Sequence, residues 1–130
     1  MNRDRAGRTD LMYAIADRDD ALASRFLMQG ADSDDVDKSG WCALHFAAQN
    51  CSKTAVGKLL KAGAKLEQRD QYGNTPLWCA TMSYYGHEEV ISTLLAAGAD
   101  PDAENKGGIS PRSLANTIAN HDTVKFFENL

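Results

Sequence analysis

Apolar positions recur along the chain in short blocks of helical period, separated by glycines and polar stretches. Val90, Ile91, Leu94 and Leu95 fall on one stripe of a helix. Glu88 and Glu89 precede them in the first turn, beside the positive end of the helix dipole. Gly98 follows, a residue able to take the positive φ that ends a helix at C′. Upstream, Thr75 suits an N-cap and Pro76 suits N1, where its missing N–H costs nothing. This predicts a first helix over about 76–83, with Leu77 and Ala80 facing inward, and a second helix ending at Gly98. Residues 99–107 are polar and read as a finger leading to the next unit. A pair of such short helices cannot bury its own apolar faces, so copies of it must stack.

The copies are present. Gly30-Ala31-Asp32, Gly63-Ala64-Lys65 and Gly98-Ala99-Asp100 are one motif at spacings of 33 and 35. Gly7, Gly40, Gly73 and Gly108 form a second set, spaced 33, 33 and 35. Both sets place the same two extra residues between positions 73 and 98. A fixed period with one local insertion is the signature of a repeat architecture.

Asp70-Gln-Tyr-Gly-Asn-Thr-Pro-Leu-Trp-Cys-Ala, then Gly86-His-Glu-Glu-Val-Ile and Leu94-Leu95-Ala-Ala-Gly-Ala-Asp, resembles the ankyrin repeat nearly position for position. Asp37 to Arg69 is a second match, with Ala-Leu-His-Phe-Ala-Ala at 43–48 and Leu59-Leu60-Lys-Ala-Gly-Ala. Asp4 to Val36 is a looser first copy, and Asn105 to Leu130 a truncated last one with Ser110-Pro111 in the Thr-Pro slot. The resemblance implies an all-α solenoid of four stacked helix-pair units, about 4–36, 37–69, 70–104 and 105–130, in a single domain. The end units are expected to act as lids. The first carries Arg5, Arg8, Asp17, Arg18, Asp19 and Asp20, and the last closes with Phe126, Phe127 and Leu130. Such ends favour a complete protein that is monomeric when free.

Composition agrees with a globular domain: 130 residues, 43% hydrophobic and 25% charged. No apolar run approaches the ~20 residues needed to span a bilayer, and Met1 to Asp20 has no apolar secretory core. Cys42, Cys51 and Cys79 are an odd number without a CxxC pair, which fits a reducing cytosol and argues against a disulfide framework or a zinc site. The net charge is −4, but seven aspartates face two arginines between Asp17 and Asp37, a local balance of −5. That stretch repels nucleic-acid phosphates; it is either a solvated loop with helix-start aspartates or a lure for a basic protein.

Candidate chemistry is sparse. His45 and His87 occupy the family's scaffold histidine slots, and His121 falls in a similar turn. No pair of histidines has i, i+4 spacing and no Cys–His group has zinc-finger spacing. There is neither a Walker loop nor a dinucleotide-binding glycine fingerprint, and Gly107-Gly108 serves the finger turn. Adjacent Glu88 and Glu89 point about 100° apart on a helix and form no carboxylate pair. The expectation is no catalytic residue, no metal and no cofactor.

A binding role remains. The resemblance implies that fingers and first helices line a concave face whose variable positions select a protein partner. Those positions hold Lys38, Ser39 and Trp41, then Gln71, Tyr72 and Asn74. Gln49, Asn50 and Met82 come from the first helices, and Trp78 replaces the usual histidine. Trp41 and Trp78 either pack into finger–helix gaps or join Tyr72 in an exposed aromatic patch; the three together favour the patch, since Trp and Tyr dominate interface hot spots. The insertion either bulges from the turn or lengthens the first helix, pushing Tyr84 and Tyr85 outward. Asp34, Asp35 and Asp37 lead into the second finger and would lie beside the patch.

The tyrosine-bearing insertion, together with Gly108-Ile-Ser-Pro-Arg-Ser-Leu-Ala-Asn-Thr-Ile-Ala-Asn-His-Asp and Lys-Phe-Phe, resembles a subgroup of small bacterial ankyrin proteins. They are often encoded beside secreted toxins and proposed as immunity proteins. That implies a cytoplasmic protein that binds a toxin domain, a basic one if the aspartates steer it. The alternatives are an ankyrin adaptor that assembles a cellular complex, or an ankyrin fragment of a larger enzyme or channel.

Overall fold

The computed structural model describes residues 4–83, 88–118, 124–125 and 127–128, the side chain of Glu88 excepted. Every regular element among them is helical. The helices are α1 (Asp10–Ala16), α2 (Asp20–Met28), α3 (Ala43–Gln49), α4 (Lys53–Lys61), α5 (Pro76–Met82), α6 (Glu88–Ala96) and α7 (Pro111–Thr117). The odd-numbered helices form one layer, in which α3 packs on α1 and α5, and α5 on α7. The even-numbered helices form the other, with α4 against α2 and α6. Short, separately capped helices of this kind hold only through such packing.

The first helices begin alike. Thr9, Thr75 and Ser110 are extended N-caps whose hydroxyls accept the N–H of Met12, Trp78 and Ser113 respectively. The second helices end alike too. Gly30, Gly63 and Gly98 take φ of 88°, 88° and 102°, and the next N–H reaches back to Phe26, Leu59 and Leu94 respectively, which satisfies carbonyls the helix would otherwise orphan.

Between helix pairs the chain forms fingers that stack edge to edge. Lys38 N donates to Ala6 O, Gln71 N to Ser39 O, and Lys106 N to Tyr72 O, at 2.8–2.9 Å. Asp37, Asp70 and Asn105 close each finger by accepting two backbone N–H bonds apiece on Oδ1. The fingers approach so closely that a Cβ on Gly40 would lie 3.0 Å from the Asp70 backbone, and one on Gly73 only 2.9 Å from Lys106 N. Both glycines also take φ near +80°, which L side chains adopt at a cost.

The core runs the length of the stack. Leu11, Ile15, Leu44, Leu59, Leu77, Ile91 and Leu94 are all buried in one cluster, so Leu77, Ala80, Val90, Ile91 and Leu94 lie inward as their spacing predicts. Leu95 is half-buried at its edge. Helix α5 ends at Met82 with Ser83 as its C-cap, and has the same seven residues as α3. The insertion therefore does not lengthen the first helix. Tyr84, Tyr85, His87, His121, Phe126 and Leu130 lie outside the described residues; Phe127 is buried.

Candidate functional site

His45 sets the baseline for reading the site. At N3 of α3 its Nδ1 accepts the Cys42 N–H at 3.1 Å, and its Nε2, left with the proton, donates to the Asn74 carbonyl of the next finger at 2.9 Å. It is fully buried, and burial holds its pKa below the ordinary 6.5, against the opposing pull of the Asn74 carbonyl and the Asp70 and Asp37 charges. A neutral ring fits both bonds. Met12 and Ser113 also return a bond from N3 to the N-cap N–H in α1 and α7.

Trp78 sits at the same place in α5 and does neither job. An indole has no acceptor to return to the Thr75 N–H. Its own Nε1–H is buried and finds no acceptor among the described residues. Unit three thus forgoes two scaffold bonds at the one N3 position that carries an indole.

Trp78 lines a cleft of about 230 Å³ with Trp41, Gln49, Asp70, Tyr72, Asn74, Cys79, Met82 and Ser83. The fingers supply one wall and the first helices the other. A second cleft of about 320 Å³ adjoins it, lined by Arg8, Asp37, Ser39, Trp41, Phe46, Gln49, Gln71 and Tyr72. Trp41, Gln49 and Tyr72 are common to both, so the two form one groove. Tyr72 is 62% and Met82 56% exposed.

The predicted positions divide into surface and scaffold. Lys38, Gln49, Gln71, Tyr72 and Met82 are exposed, and Ser39 is half-exposed. Trp41 is half-buried: Nε1 donates to Asp70 Oδ2 at 2.9 Å, and the ring stacks on His45 and meets Phe46 edge-on. Trp78 is half-buried as well. The aromatic patch is therefore one exposed tyrosine over two partly packed indoles: Trp41 fills the gap between the Asp70 finger and α3, and Trp78 packs against the edge of the core. Asn74 is buried and accepts from Asn105 Nδ2. Asn50 Nδ2 donates to the Ile15 and Ala16 carbonyls at the end of α1. These two amides join units.

The acidic approach to the patch requires correction in part. Asp37 lines the groove, but it is buried with its carboxylate bonded to the Ser39 and Trp41 N–H groups. Asp34 accepts from Lys65 N, and neither Asp34 nor Asp35 lines the groove. A run of aspartates in sequence is dispersed here because the finger needs one carboxylate inside its own turn. Arg8 is the groove residue that sequence reasoning left aside as part of a lid. Its guanidinium stands 5.7 Å from the Phe46 ring centroid and 6.0 Å from that of Tyr13. Only the stacking of fingers one and two brings it there.

The thiols are poorly suited to attack. Burial pushes Cys79 up to about 12, with Asp70 and Cys42 adding to it, and burial raises Cys42 and Cys51 as well. Among the described residues no group of three His, Cys, Asp or Glu side chains is placed to hold a metal, and no helix is long and apolar enough to cross a membrane.

Stacked helix pairs joined by hairpin fingers over a lateral groove define a repeat protein built for contact with other macromolecules. A family model for ankyrin repeats, in three copies, matches residues 2–105, and this chain belongs to the ankyrin-repeat family. It is 38% identical over 81 residues to protein phosphatase 1 regulatory subunit 27 of Mus musculus, covering 62% of this chain and 51% of that protein. It is 34% identical over 118 residues to ankyrin repeat domain-containing protein 63 of Mus musculus, covering 84% and 30%. Ankyrin repeat and SOCS box protein 2 of Bos taurus is 32% identical over 97 residues, covering 74% and 15%. The chain thus spans about half the length, or less, of these relatives.

Proposed function

We propose that this protein is a non-catalytic binding module that holds a partner protein in the groove between its fingers and first helices. The observation that carries this is Trp78. Natural chains give up local stability mainly where a site requires it. Here two hydrogen bonds that unit two makes through His45 are exchanged for an indole on the floor of the groove. Tyr72 and Met82 stand exposed above it, and large apolar side chains gathered in a cleft usually mark an interface.

The resemblance of unit three and the last unit to small bacterial ankyrin proteins makes a toxin domain the first partner to test, held inactive in the cell that makes it. A second role, assembly of a regulatory complex, is favoured by the relatives, one of which is a phosphatase regulatory subunit and another a SOCS box protein. The two roles share one surface and differ in the partner. For the immunity role, the toxin-domain product of a neighbouring gene is titrated with this chain; stoichiometric loss of toxicity is expected, and undiminished toxicity at excess rules the role out. The groove is tested with the same partner. Tyr72→Ala, whose ring is mostly in solvent, is expected to weaken binding at least tenfold, largely through faster dissociation. Lys58→Ala, on α4 where Nζ bonds Ser24 Oγ, is expected to change little. A folded Tyr72→Ala variant that binds like wild type would sink the groove assignment.

A further inference from the structure

The fingers segregate charge in a way the sequence order hides. Each finger opens with a hydrogen-bonding residue followed by its tip: Asp4-Arg5, Asp37-Lys38, Asp70-Gln71 and Asn105-Lys106. The first residue of the pair is buried in fingers two and three, half-buried in finger four and exposed in finger one. Asp37 and Asp70 are buried and bonded to backbone N–H groups within their own loops. Asp4 accepts from Arg8 N and from the Tyr13 hydroxyl, a pair of bonds that holds its pKa below the usual carboxylate range, the Tyr13 bond foremost. The second residue of each pair is exposed in every finger. Three of the four are cations, and no ion pair among the described residues engages Arg5, Lys38 or Lys106. Backbone bonds between adjacent fingers set these residues in one row, with Arg8 extending the positive charge into the groove.

Resting on the groove assignment above, we infer that the partner presents an acidic segment: carboxylates facing the Arg5, Lys38 and Lys106 row, with an aliphatic or aromatic side chain seated between Tyr72, Trp78 and Met82. The charge preference is opposite to the one the aspartate run suggests, and the reason is solvation. A partner meets groups that end in water. At fingers two and four those are ammonium groups and at finger three an amide, since Asp37 and Asp70 are buried in their turns; at finger one the exposed Asp4 is bonded to Arg8 N and the Tyr13 hydroxyl, leaving the Arg5 and Arg8 guanidiniums in excess. Desolvating a carboxylate against them is offset by charge-assisted bonds, and exposed charges in a row steer encounter. A nucleic acid would also meet cations, but three tips and one arginine around an apolar cleft suit a side chain better than a phosphate backbone, and the chain as a whole carries −4.

The test is a random-peptide display library selected on the full-length chain, read by sequencing. The expected result is enrichment of peptides with Asp or Glu flanking an apolar residue. A synthetic copy of the leading peptide should bind about tenfold more weakly to Lys38→Glu and to Lys106→Glu, mostly through slower association, with the difference shrinking at high salt. Enrichment of basic or uncharged peptides overturns the inference, as does enrichment of none. Binding that falls with Tyr72→Ala but ignores both charge reversals leaves the groove standing and defeats the acidic partner. Binding that ignores all three defeats the groove as well. A fluorescent single-stranded oligonucleotide serves as the rival probe; if it binds and Lys38→Glu abolishes that, the row is a phosphate site and the inference is wrong.

Discussion

Units two and three are built on one frame and use it differently. Both have a seven-residue first helix, a second helix of nine, and a finger closed by an aspartate and a positive-φ glycine. At N3 of the first helix, unit two places His45, which ties its own N-cap to the finger that follows. Unit three places Trp78, whose side chain ties nothing among the described residues and lines the groove. The family pattern is obeyed where the stack needs it and broken where the groove lies. In a repeat protein, this makes departure from the repeat more informative about function than conformity to it.

The comparison can be broken at the core first. If the two units share one frame, Leu44→Ala and Leu77→Ala, both fully buried, should cost about 2–5 kcal/mol each and agree within about 1 kcal/mol. Urea unfolding checks this; a large loss in one and a negligible loss in the other would mean that the units are not equivalent. Next comes His45. His45→Ala strands the Asn74 carbonyl and the Cys42 N–H and should cost about 2–4 kcal/mol, against less for Trp78→Phe, which removes an unpaired donor while keeping an aromatic ring.

His45 also predicts a pH dependence of known sign. Its folded-state pKa lies below the ordinary 6.5, so the unfolded chain takes up this proton first. The contribution is complete above pH 6.5 and is lost as pH falls from there toward the folded-state value, by up to about 1.4 kcal/mol per pH unit. Comparing wild type with His45→Ala at pH 7.5 and 5.5 checks it: the gap between them should narrow in acid, and a gap that widens contradicts a neutral, buried ring.

The finest test exchanges one unit's choice for the other's. Trp78→His should let the ring accept from Thr75 N, and the unpaired indole donor disappears. Stability should rise by about 1 kcal/mol, while affinity for a groove-bound partner falls. A variant that loses stability and keeps its affinity would show that Trp78 serves packing rather than binding.

Much of the molecule was legible in its sequence, for a physical reason. Helix ends and finger turns depend on local chemistry: a hydroxyl before the first turn, a glycine where φ must be positive, an aspartate that closes its own loop. Those residues recur with the period of the stack, so spacing alone places Thr75, Pro76, Gly73 and Gly98. The core followed from the same period, since a stripe repeated in every unit has only its neighbours to pack against. The sequence thereby determined the class of fold and the pairing of its helices. Whether a side chain faces water or backbone depends on neighbours about 33 residues away, and only the stacked structure decided that. It buried Asp37 in its turn and half-buried Trp41 against His45, Phe46 and Asp70. It left Tyr72 in solvent, brought Arg8 from the first unit into the groove, and aligned Arg5, Lys38 and Lys106 along one edge. The sequence names these groups, but their exposure, and so their availability to a partner, is a property of the stack.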